Sequence, residues 1–164
     1  MKFLTDIECK DWCKNHSISI SSEEVPEINK DGFQTVEISY PIYTQFLYLS
    51  SLLSSNSLCD SESLLWITQI EIWKSGENLH LYYKLRQSYS DATLIKDKPG
   101  HLFLKHELED LKSFLYLSLL FGWDCYLISS NDLLRVFFSH DEFIQLSSKD
   151  SELIKNINNY FTKK

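Results

Sequence analysis

"LLWITQIEIWKSGENLHLYYKLRQS", Leu64 to Ser88, is the stretch on which the architecture turns. Two runs rich in β-branched and aromatic residues flank the polar "KSGE" at 74–77, the pattern of a β-hairpin closed by a glycine turn. In the second run Leu79, Leu81, Tyr83 and Leu85 alternate with His80, Tyr82, Lys84 and Arg86, which predicts one buried and one open strand face. The open face then carries Tyr82, Lys84 and Arg86 beside Trp66 or Trp73, aromatics mixed with charge that suit a protein interface unless a helix lies over them.

A second hairpin is predicted downstream in "FGWDCYLISSNDLLRVFFSHDEF", Phe121 to Phe143, around Ser130-Asn131-Asp132, with "EFIQLS" extending into a further strand. Between the two, "HELEDLKSFLYLSLLFG" reads as the main helix. Glu107, Glu109 and Asp110 stand at its start, where the macrodipole favours negative charge, and Gly122 lies just past its end. From Phe114 onward it is apolar nearly all round, which predicts a central buried helix. At the N-terminus "TDIECKDWCKNH" opens with a capping box, Thr5 to Glu8, and sets Leu4, Cys9, Trp12, Cys13 and His16 on one helical face. "FQTVEISY" predicts a short strand, Pro41 leads into a helix with Ile42, Phe46, Leu49 and Leu53 in register, and "SNSLCDSES" at 55–63 reads as a surface loop. The tail carries Leu153, Ile154, Ile157, Tyr160 and Phe161 at helical spacing. The expected fold is α+β: an antiparallel β-sheet built from two hairpins, packed by a central buried helix and by amphipathic N- and C-terminal helices.

The 164 residues fit a single domain spanning 1–164, large enough to build a core without a metal or a disulfide. Sixteen basic against 23 acidic residues leave a formal net charge of −7, which repels phosphate backbones and argues against nucleic acid. The longest apolar stretch, "FLYLSLLFGW", is far short of the ~18 residues of a membrane span. No secretory h-region follows Met1, so the start reads as that of a mature cytoplasmic protein with reduced thiols at Cys9, Cys13, Cys59 and Cys125. Aromatic residues make up 14% of the chain, and rings left on a surface tend to serve recognition.

Three constellations have the residue types for chemistry. Cys125, His140 and Asp141 supply a thiol, a base and an orienting acid. If the turn is centred on Asn131, however, Cys125 faces about Phe137 while His140 faces Gly122, an offset of roughly 10 Å. On that register Cys125 packs in the core, and Asp124, His140 and Asp141 hydrogen-bond around the strand ends. Cys9, Cys13 and His16 share a helix face and could begin a metal site, although structural zinc takes four ligands and no Cys-x2-Cys pair is present. His101 and His106-Glu107 lack the spacing that stacks two metal ligands on a helix, and His101, after Pro99-Gly100, is expected in a loop. No phosphate loop, nucleophile elbow or calcium loop occurs, and no cofactor is implied.

The span from Pro99 to Leu146, with its acid-led helix, "GWD" after the helix and "SHDEF" at the last strand, resembles small uncharacterised bacterial proteins, some of which are suspected immunity proteins of toxin systems. That resemblance implies an acidic, stand-alone inhibitor. The expected function is therefore a non-enzymatic protein-binding domain that covers a basic partner. Its candidate contacts are Trp66, Trp73, Tyr82, Glu107, Glu109, Asp110, Trp123 and Asp124. The alternative is a small hydrolase or transferase built on Cys125 with His140, or on a carboxylate–histidine pair. The oligomeric state is open.

Overall fold

The structure, a computed structural model, describes residues 1–58, 61–73 and 77–162. Cys59 and most of the "KSGE" turn fall outside them. Among the described residues the chain forms a seven-stranded antiparallel sheet with five α-helices, an α+β fold. In chain order these are β1 (Lys2–Leu4), α1 (Asp6–Asn15), β2 (Gln34–Ser39), α2 (Phe46–Ser57), β3 (Ser63–Gln69) and α3 (Leu79–Ser88). They continue as β4 (Gly100–Phe103), α4 (Leu108–Phe121), β5 (Asp124–Ser129), β6 (Leu134–Ser139), β7 (Phe143–Ser148) and α5 (Ser151–Thr162). Across the sheet the order is β1-β4-β3-β5-β6-β7-β2.

The first expected hairpin is not formed. Its second half is the helix α3, and β3 pairs instead with β4 on one side and β5 on the other. The alternation of leucines over residues 79–85 is also compatible with a helical stripe, and the tertiary setting selects the stripe. Asn78 caps α3 by accepting from the Leu81 amide at 3.2 Å. Tyr82 and Arg86, four residues apart, then point into the core, while Leu81 is exposed. His101, expected in a loop, lies in β4 and is fully buried. Gly100 beside it is required for close packing: a β-carbon there would stand 2.2 Å from the Cys9 sulfur of α1.

The second hairpin is present and grows into a meander of β5, β6 and β7, with β2 added at the far edge. Cys125 pairs with Phe138, one residue from the expected register. The turn places Asp132 at φ 53, and the Arg135 guanidinium grips its carboxylate at 2.7 and 2.9 Å. The capping box at the head of α1 closes, with Glu8 accepting from the Thr5 amide at 2.8 Å and Thr5 from the Glu8 amide at 3.3 Å. Gly122 ends α4 in the left-handed conformation that favours glycine, φ 63. α2 runs on through Ser57, into the stretch expected to be loop.

Strand alternation divides the core in two. On one face Leu65, Leu127, Val136 and Leu146 line up across β3, β5, β6 and β7 beneath α2, α3, α4 and α5. On the other face Leu64, Trp66, Tyr126 and Ile128 meet Cys9, Trp12 and Cys13 of α1 with Ile18 and Ile28 beyond it. Four helices on one face leave α4 partly uncovered. Its inner side, Leu111, Phe114, Leu115 and Leu119, is buried, but Leu120 is exposed and Tyr116 and Leu117 are half-buried. It is thus not buried all round as expected. The sheet ends in two unlike edges, the three-residue β1 and the six-residue β2, with Glu37 exposed in the middle of the latter. No helix among the described residues is long and apolar enough to cross a membrane.

Candidate functional site

The structure separates the residues proposed for nucleophilic chemistry. The Cys125 thiol is buried between the sheet and its helices, and burial with the neighbouring Asp124 charge pushes its pKa far up, so it stays a thiol. His140 turns to Asp124 instead. Its Nδ1 lies 2.8 and 2.9 Å from the two carboxylate oxygens, and its backbone amide donates to the nearer one at 2.6 Å. The hydrogen bond that the imidazole donates to Asp124 is the main cause that raises the His140 pKa, with the Asp124 and Asp141 charges adding to it. Asp141 itself is exposed, 3.6 Å from Nε2. A buried carboxylate that fixes an imidazole is the base-and-orienter part of a hydrolytic site. Among the described residues no hydroxyl or thiol is hydrogen-bonded to the ring.

The metal candidates are not gathered either. Cys9 and Cys13 are sealed under α1, and burial pushes Cys13 up to about 12 and Cys9 higher still. His16 caps the helix, its Nδ1 2.8 Å from the Trp12 carbonyl and Nε2 3.5 Å from Glu62. No cluster of three or more potential ligands exists among the described residues. His101 is also accounted for inside the core. Nδ1–H donates to the Pro99 carbonyl at 3.1 Å, which leaves Nε2 to accept the Tyr82 hydroxyl at 3.2 Å. Burial, with the Arg86 charge next, lowers its pKa to about 3, so the ring is neutral. It forms no pair with Glu107, whose carboxylate takes the Met1 amino group and the Leu104 amide.

The proposed contact residues divide sharply. Trp66, Tyr82 and Trp123 are core side chains and present nothing to a partner. Their rings fill the space between layers, Tyr82 packing edge-on against both Phe114 and Trp123. Asp124 is committed to His140, and Asp110 accepts from the Tyr89 hydroxyl. Glu109 is exposed and loosely paired with Lys112 at 3.5 Å. Trp73 is 55% exposed, its indole lying against Gly122.

The surface that sequence reasoning missed lies on the outer side of the helical layer. Leu47 is 58% exposed and Tyr43 72%, with Ile42, Tyr48, Leu81, Leu120 and Tyr160 also open to solvent. A groove of about 350 Å³ runs between Leu47 of α2, Leu81 and Leu85 of α3, and Tyr116 and Leu117 of α4, with Glu109 and Lys112 at its rim. A signal for it was present: a helix apolar on all sides needs neighbours on all sides, and α2 carries Leu47 and Tyr48 off its packing register. Next to this surface a cleft of about 250 Å³ is bounded by Tyr40, Phe46, Trp73, Gly122, His140 and Glu142. Compared with known proteins, the chain matches no protein-family model, no curated protein and no solved structure.

Proposed function

We propose that this is a non-enzymatic protein-binding domain, a stoichiometric inhibitor of the immunity type acting in the cytoplasm on a basic partner. The observation that carries the reading is the exposed apolar and aromatic surface of α2, α3 and α4 around the Leu47–Leu81 groove. Apolar side chains clustered on a helical layer, with a polar rim, have the make-up of an interface core. The net charge of −7 favours a positively charged partner and electrostatic steering, so association should slow as salt is added.

The test is capture from the native cell with the unaltered protein and with the Leu47→Asp, Leu81→Asp double variant. Both side chains are exposed, so the fold should hold, while retention of the partner should fall roughly tenfold or more. A partner held equally by both proteins, or none held by either, would count against the reading. A second reading, a small hydrolase or transferase, has one observation in its favour, the His140–Asp124 pair at the cleft. Turnover abolished by His140→Ala with partner capture unaffected would favour that reading instead.

A further inference from the structure

We propose that the cleft between Tyr40, Phe46, Trp73 and Glu142 receives an arginine side chain of the protein partner. The inference rests on the binding function proposed above and names the chemistry of its anchor. Four aromatic residues line the cleft, Tyr40, Phe46, Trp73 and Phe121, and the first two are held in place. The Tyr40 hydroxyl donates to the Leu119 carbonyl at 2.9 Å, and its ring meets Phe46 edge-on at 5.7 Å. The Trp73 amide donates to Glu77 Oε1 at 3.0 Å, which fixes the backbone while the indole stays open to solvent. Rings that need no rearrangement make a platform for a planar cation.

Around the cleft the described acids, Asp124, Asp141 and Glu142, outnumber its one base, His140. Among the described residues no lysine or arginine lines the cleft. Its histidine is matched by Asp124, and Asp141 stands beyond it. Glu142 lies on the rim at φ 65, and its carboxylate has no hydrogen bond or ion pair among the described residues. An unspent carboxylate beside aromatic faces attracts a guanidinium, which can stack on a ring and hydrogen-bond to the acid at once.

Size narrows the occupant further. At about 250 Å³ the cleft is smaller than the roughly 300–1,000 Å³ of sites for drug-sized ligands, and it suits one side chain rather than a cofactor. It is also continuous with the proposed docking surface: Phe46 borders the cleft and Leu47 the groove on α2, while Leu120 of α4 borders the cleft. A partner seated on the helical layer would bring a basic anchor within reach, as interface arginines commonly do.

The test needs only the purified protein and capped amino acids, followed through the tryptophan indole N–H resonances, with that of Trp73 identified from Trp73→Phe. N-acetyl-L-arginine amide should shift the Trp73 signal in a saturable way, the lysine analogue should act more weakly, and the norleucine analogue should do nothing. Glu142→Gln should weaken the arginine response about fivefold. In that variant the buried indoles of Trp12, Trp66 and Trp123 should keep their positions, which shows that the fold is intact. An equal response to norleucine, no response to any probe, or tighter binding of free L-arginine than of the capped form would overturn the proposal. If the probes fail while Leu47→Asp, Leu81→Asp still releases the partner, only the anchor is wrong. If arginine binds at the cleft while that double variant keeps its partner, the helical docking surface is wrong.

Discussion

The ribbon from Asp124 to Ser148 and the stretch from Ser63 to Ser88 look alike as text, yet one is three strands and the other a strand followed by a helix. In the ribbon the punctuation is decisive. Ser129 Oγ accepts from the Leu133 and Leu134 amides, Asn131 also accepts from Leu133, and Asp132 takes the left-handed conformation. Local chemistry reverses the chain before any tertiary contact is needed. In the other stretch the decisive residue is Asn78, whose cap competes with a hairpin reading of the same leucines. The difference teaches that a period of two over seven residues is weak testimony unless the turn beside it agrees.

The largest expected effect comes from Tyr82→Ala. In the helix this ring is fully buried among Phe114, Trp123 and His101, so truncation should cost about 3–5 kcal/mol in urea unfolding. On the open face of a hairpin the same change would fall within roughly 0.5 kcal/mol, and that result would restore the hairpin. Smaller, but aimed at the same contrast, is Asn78→Ala, which removes the α3 cap and should cost about 1 kcal/mol. No loss of stability or of helical circular dichroism would argue against the helix start.

The smallest effect sharpens the ribbon side. His140 is held by Asp124, so its folded pKa lies above that of an unfolded histidine. Its stabilising contribution is complete below the unfolded value of about 6.5 and fades as pH rises through the folded one. The stability gap between the native protein and His140→Gln should therefore narrow as pH rises above about 6.5. A gap that is constant or widens with pH would mean that the pair does not hold the strand ends.

Legibility followed the range of the forces involved. The α1 capping box, the αL glycine that ends α4 and the turn of the second hairpin are settled within a few residues of chain, and each could be read. β1 and β4 could not, because three- and four-residue strands exist only through their distant partners. The site was harder still. Composition tells how many aromatic rings there are but not which lie between layers, so Trp66, Tyr82 and Trp123 were indistinguishable from Trp73. The Asp124–His140 pairing was anticipated as hydrogen bonding around strand ends, whereas the Leu47–Leu81 surface depends on which side of α4 is left without a neighbour.

The β2 edge has a consequence for how copies of this protein behave when crowded. Among the described residues this six-residue border pairs with a strand on one side only, and an edge of that kind is a template on which another chain can add itself, the route to fibrils. Glu37, in the middle of that border and turned to solvent, places a negative charge where an incoming ribbon would have to lie. A charge on an edge strand disfavours such addition, independent of anything the molecule recognises.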